Sequence, residues 1–211
     1  MRSDSRRLVA LLTGIALTLV AIVFVDRAAS SWSHATFHGV AVFWWLTYIV
    51  DPVLPGSIAG MAVAGFAAGI CGWRPKQAGT TLIAICLAVV LAFAMKEALK
   101  YAFGRTWPET WIDRNPSWIG DGAYGFHPFH GGEGWHSFPS GHMTLITASS
   151  AVLWQRVRRL RGLAATLVLL VAIGLFGADF HFISDLVAGT FLGGACGAGA
   201  LALLDRGRES L

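Results

Sequence analysis

The sequence predicts an all-α fold, an integral membrane bundle of six transmembrane helices with a long extracytoplasmic loop as its lid, in one domain over residues 1–211. Three observations lead there. Hydrophobic residues make up 55% of the chain and charged residues only 13%, and the mean hydropathy is +0.60; a soluble domain carries about twice that share of charge. Apolar runs long enough to cross lipid recur along the chain. The basic residues behind the net charge of +4 sit in short clusters beside those runs, as topology signals do, so nucleic acid is not an expected partner. Cys71, Cys86 and Cys196 all fall within apolar segments and read as buried thiols, with neither a disulfide framework nor a CxxC metal pair.

The first span is read at residues 8–25, after Arg2, Arg6 and Arg7, and is closed by Asp26 and Arg27. Its eighteen residues exceed a signal-peptide core and suffice to span. Residues 30–50, with Trp32, Trp44 and Trp45, read as an interfacial aromatic segment, broken by Asp51-Pro52 and Pro55. The second span covers about 53–72 and carries Gly60, Gly65 and Gly69, small enough for close helix approach. The third covers about 79–95 and runs on into Lys96-Glu97-Ala98-Leu99-Lys100. A loop at 104–138, rich in Trp, Gly, Pro and His, is long enough to be functional. The fourth span follows at 142–154, the fifth at 163–177 and the sixth at 182–204.

Six spans put both termini, the Arg74/Lys76 turn and the Arg156, Arg158, Arg159 and Arg161 cluster on one side. Eleven of the sixteen basic residues gather there, so that side is expected to be cytoplasmic, in a bacterial-type inner membrane. The long loop, His142 and His181 then face outward together.

Ser137-Phe138-Pro139-Ser140-Gly141-His142-Met143-Thr144 lies where the polar loop meets the fourth span. Pro139, Ser140 and Gly141 are helix-start residues. The first amides of a helix lack intrahelical partners and point outward, which makes an anion site; the Ser140 hydroxyl can add to it, and His142 can supply a proton. His181 and Asp185 stand four residues apart and share a helix face, so Asp185 can accept one ring N–H and leave the other nitrogen as nucleophile or base. Gly189, Gly193 and Gly197 continue that spacing and turn the face into the bundle. The plainer alternative is a histidine and an aspartate that satisfy each other between helices.

Ser-Phe-Pro-Ser-Gly-His, then His-x-x-x-Asp, with Lys100 at the end of the preceding span, resembles the type 2 phosphatidic acid phosphatase superfamily. The resemblance covers about residues 96–189 and includes six-helix topology with an outward-facing site. It implies that His181 attacks phosphorus to form a phosphohistidine, oriented by Asp185. His142 would protonate the leaving oxygen, and Lys100, Ser140 and Gly141 would hold phosphate oxygens. It implies no cofactor and no metal in that chemistry, and a lipid phosphate substrate among membrane lipids.

Two departures stand out. The family's first motif places an arginine seven residues after the lysine, where this chain has Trp107 before Pro108; its third begins Ser-Arg, where this chain has Gly174 and Leu175. Phosphoryl transfer depends on neutralising the equatorial oxygens, and each lost donor costs about 3 kcal/mol, so a substitute is expected. Arg105 is the nearest candidate phosphate ligand, with Lys96 and Arg114 behind it. Alternatively, the substrate is a phosphodiester monoanion, as for the sphingomyelin synthases, which resemble this His, His and Asp set and transfer a head group. A catalytically inactive lipid-phosphate binder or carrier would also tolerate the losses.

His127, His130, Glu133 and His136 recur every three residues in the loop and are zinc-ligand types. The intervening Pro128, Gly131, Gly132 and Gly134 disfavour a helix, so spacing does not bring them to one face. The plainer reading is an interfacial lid, with Trp107, Trp111, Trp118, Tyr124, Phe126, Phe129 and Trp135 near the lipid surface.

Overall fold

In the computed structural model, residues 2–112 and 114–209 are described. Helix α1 (Arg2–Val20) passes through a π-helical turn (Ala21–Val25) into α2 (Asp26–Phe37). The first apolar helix therefore runs over Leu8–Phe37 and does not stop at Asp26. The expected end at Asp26 and Arg27 was wrong because the Asp26 carboxylate need not face water: it is wholly buried against an arginine.

Residues expected to lie at the interface also form helix, α3 (Ala41–Thr47) and a 3₁₀ turn (Tyr48–Val50), leading directly into α4 (Val53–Cys71). Pro52 caps α4 and Pro55 falls in its first turn, where no amide is needed. The apolar stretch is continuous over Ala41–Cys71. Helix α5 (Gln77–Phe103) ends at Gly104, which adopts a left-handed conformation. A four-residue helix α6 (Trp118–Asp121) interrupts the long loop. Then come α7 (Gly141–Arg156), α8 (Arg161–Gly177) and α9 (Ile183–Glu209).

Among the described residues, five stretches are long and apolar enough to cross a membrane: Leu8–Phe37, Ala41–Cys71, Gln77–Phe103, Arg158–Gly177 and Ile183–Arg206. The remaining long helix, α7, has 16 residues, about 24 Å at 1.5 Å per residue and short of a hydrocarbon core of about 30 Å. It lies in the middle of the bundle, against α5 and α9. The first apolar helix and α4 lie further out, with Leu12, Val23, Val63, Phe66 and Ile70 among their exposed side chains. The chain is thus an all-helical membrane protein.

The glycines of α9 seat α7. A Cβ on Gly189 would stand 2.7 Å from the Ser140 carbonyl oxygen, and one on Gly197 would stand 2.9 Å from that of Ala148; only hydrogen fits there. Gly174 plays the same part for α3, where a Cβ would lie 2.7 Å from Leu46 Cβ.

The loop is tied down. The amides of His127 and Phe129 donate to the carbonyls of Gly104 (2.7 Å) and Tyr101 (2.9 Å), and the Ser137 amide donates to Arg105 (3.2 Å). Trp107 Nε1 donates to the Glu133 carbonyl at 2.9 Å. Phe103, Phe126 and Phe138 pack edge to face beneath it.

Candidate active site

His181 lies in the short turn between α8 and α9, and is 4% exposed. Its Nδ1 faces Asp185 Oδ2 at 3.4 Å. The same oxygen accepts from Ser137 Oγ at 2.6 Å and from the Phe182 amide at 3.0 Å. Oδ1 accepts from Arg105 Nη1 at 2.5 Å. Four groups thus fix a wholly buried carboxylate, which holds the Nδ1–H tautomer and leaves His181 Nε2 with its lone pair. Burial lowers the His181 pKa more than the Asp185 carboxylate raises it, so the ring is neutral around pH 7.

Arg105 does not stand where it was expected. It is 0% exposed. Nη1 reaches Asp185 Oδ1 and Ser184 Oγ, both at 2.5 Å, while Nη2 reaches Asp26 Oδ2 at 2.7 Å and Tyr124 Oη at 3.0 Å. Burial alone would depress its pKa, and the flanking Asp185 and Asp26 carboxylates raise it instead. With both terminal nitrogens committed to these partners and no exposed surface, Arg105 is held against Asp185 and Asp26. Asp26 in turn accepts from the Ser184 amide at 2.9 Å and from the Ser184 hydroxyl. Asp26, Ser137 and Ser184 were missed by sequence reasoning. Their one sequence signal is an aspartate at the edge of an apolar run, a pattern that also marks a helix end.

Ser140 caps α7, its Oγ accepting from the Met143 amide at 3.5 Å while its own amide donates to the Asp185 carbonyl at 3.1 Å. This joins the α7 start to the His181 turn. The amides of Gly141 and His142 open the helix and have no intrahelical carbonyl to bond. Beside them lies Lys96, whose Nζ is 3.5 Å from where a Cβ on Gly141 would stand. Lys96 is 8% exposed, ion-pairs with Glu97 and lies 4.5 Å from the Phe93 ring centroid. Lys100 is one turn further along the same face of α5, its Nζ 5.9 Å from the centre of Trp107. His142 is within electrostatic reach of both lysines and of His181, and its Nε2 lies 4.0 Å from Asp51.

The two missing arginines have local causes. Trp107 is 5% exposed, and its ring stands 5.1 Å from that of His181, so an indole fills the position of the first. Leu175 is wholly buried in the apolar core, next to Gly174, where α3 closes on α8.

The loop histidines do not converge. His127 and His130 both pack on Trp135, at 4.3 and 4.2 Å between ring centres. His136 lies instead within electrostatic reach of Lys100 and Glu97, its pKa lowered chiefly by burial and its Nε2 buried without a partner among the described residues.

Fold and site together define a multi-pass helical membrane protein with a buried His–Asp pair beside a cationic helix start. A family model described as the PAP2 superfamily matches residues 81–208, and the chain belongs to that superfamily. Among solved structures, LpxE from Aquifex aeolicus is similar at 17% identity and a TM-score of 0.55, over 84% of this chain and 95% of that one. A transmembrane PAP2 type phosphatidylglycerolphosphate phosphatase from Bacillus subtilis is similar at 17% identity and a TM-score of 0.50, over 95% of this chain and 96% of that one. These likenesses establish the fold. Comparison with curated proteins gives no match.

Proposed function

We propose that this protein is a membrane lipid phosphatase, hydrolysing a phosphomonoester or diphosphate of a lipid through a phosphohistidine at the outer face of a bacterial-type inner membrane. The observation that carries the reading is the fourfold-held Asp185, which meets His181 Nδ1 through its carboxylate and the Ser140 amide at the α7 start through its carbonyl. Superfamily membership and the likeness to LpxE and to a phosphatidylglycerolphosphate phosphatase support it.

In this reading His181 Nε2 attacks phosphorus, the N–P bond forms as the P–O bond to the lipid breaks, and His142 gives its proton to the departing oxygen. His142 then takes a proton from water, whose oxygen attacks phosphorus, breaks the N–P bond and releases inorganic phosphate. Lys96, Lys100 and the amides of Gly141 and His142 hold the equatorial oxygens, with Ser140 shaping the helix start. Lys96 takes over part of the role of the absent guanidiniums.

Transfer of a lipid head group by the same His, His and Asp set is the second reading. It is favoured by Trp107 and Leu175, which leave less positive charge than a phosphomonoester dianion calls for. The test is phosphate release from a panel of lipid phosphates by purified wild type, His181→Ala and His142→Ala. Release by the wild type that vanishes with His181→Ala supports hydrolysis. A lipid product carrying a new head group, without free phosphate, supports transfer. Lipid binding with neither product contradicts both.

A further inference from the structure

A second polar cluster lies away from the His181 site, on the other side of the turn that carries it. His34 and His38 come from the end of α2, one helical turn apart; Glu109 comes from the long loop; Asp179 comes from the α8–α9 turn. His34 Nδ1 stands 3.0 Å from Asp179 Oδ2 and 3.5 Å from Glu109 Oε2. His38 Nδ1 stands 3.7 Å and 3.3 Å from the same two oxygens. All four ligand atoms lie within 4.8 Å of one another. A tetrahedral zinc with bonds of about 2.0–2.2 Å has ligand–ligand edges of about 3.3–3.6 Å, and the four measured edges bracket that range.

The chemistry of the set fits a divalent ion. Two neutral imidazoles and two carboxylates carry a charge that a 2+ ion cancels, and imidazole with carboxylate is a borderline donor set suited to zinc. Asp179 is 2% exposed, and its second oxygen, Oδ1, is buried without a partner among the described residues; burying a carboxylate so is costly unless a cation compensates it. A cavity of about 270 Å³ lined by His38, Glu109 and Asp179 adjoins the cluster, and the half-exposed His38 ring gives an ion a way in.

We propose that His34, His38, Glu109 and Asp179 form a structural zinc site. All four positions of the tetrahedron come from the protein, as in sites that hold a fold together. The ion would join three segments: the end of α2, the loop two residues from Trp107, and the turn two residues before His181. The site plays no part in the phosphoryl chemistry, so the proposal stands whether or not that reading does.

The test uses the purified full-length protein in detergent, with any affinity tag removed. Metal content is measured after dialysis against a weak chelator, and thermal unfolding is followed before and after zinc is restored to chelator-stripped protein. The expected results are one zinc per chain, a melting temperature that rises with free zinc, and loss of both in His34→Ala and Asp179→Asn. His38→Ala removes the most exposed ligand and is expected to fold while weakening zinc affinity at least tenfold. A wild-type chain whose zinc content matches that of His38→Ala, and whose unfolding is indifferent to zinc, overturns the proposal and leaves a polar cluster held by its own contacts.

Discussion

Arg105 and Asp185 meet at 2.5 Å with neither side chain exposed to solvent. Because Asp26 takes the other end of the guanidinium at 2.7 Å, one arginine joins the first helix, the loop and the helix that bears Asp185. Removing one partner of such a pair leaves a bare buried charge, at a cost of about 3–5 kcal/mol. Arg105→Ala is expected to lower stability by that amount in a denaturant or thermal melt. Pairing Arg105→Met with Asp26→Leu is expected to recover part of the loss, since one of the two orphaned carboxylates is gone. A double variant that adds the two single losses would show that the pair is not coupled.

Lys96 is expected to matter although the superfamily motif lysine matches Lys100. Lys96→Met should lower kcat/KM for a lipid phosphomonoester by roughly 10²-fold, the scale of one lost preorganised donor. The drop should be smaller for a singly charged phosphodiester. Kinetics of the two substrates side by side check this, and an equal loss on both would remove Lys96 from the phosphate.

The pH profile follows from the environment of His181. The nucleophile must be neutral, and burial holds its pKa below the ordinary value. The rate should therefore not fall as pH drops past about 6.5; it should rise as His142, whose pKa burial lowers to about 4, gains the proton it donates, and decline only where His181 becomes protonated. Asp185 raises the His181 pKa, so Asp185→Asn is expected to lower the rate and move the acid limb to still lower pH. The pH dependence of kcat/KM for the two forms decides it.

Gly193 and Gly194 are neighbours with opposite surroundings. A Cβ on Gly193 would overlap the Thr144 carbonyl oxygen and lie 2.9 Å from the Ala148 amide nitrogen, whereas one on Gly194 meets nothing within 4 Å. Gly193→Ala is expected to destabilise by about 1–3 kcal/mol. Gly194→Ala should be neutral or slightly stabilising, as alanine favours helix. Melting temperatures of the two variants in the same detergent give the comparison.

The sequence made the helices legible through composition and run length, and it made the site legible through Ser140-Gly141-His142 and His181-x-x-x-Asp185. It ends the first helix too early, because a charge inside an apolar run looks like an end. Asp26 is tolerated within the helix only because Arg105, 79 residues away, pairs with it, and no local pattern encodes such a partner. The same contact holds Arg105 away from the expected place: proximity along the chain to an empty motif position says nothing of a side chain's direction. The sequence places Lys96 behind Arg105 as a candidate, since its nearness to Gly141 depends on how α5 and α7 cross. His34, His38, Glu109 and Asp179 come from three separate segments, whereas the evenly spaced loop histidines that drew notice do not converge.

The most direct test of the central claim is a rapid-quench experiment with a lipid phosphate labelled on phosphorus. The predicted result is transient label on the wild-type protein, stable to alkali and labile to acid as a phosphohistidine is, absent from His181→Ala and mapped to His181. Phosphate release from the wild type without any such label, or with release undiminished in His181→Ala, would contradict the phosphohistidine account.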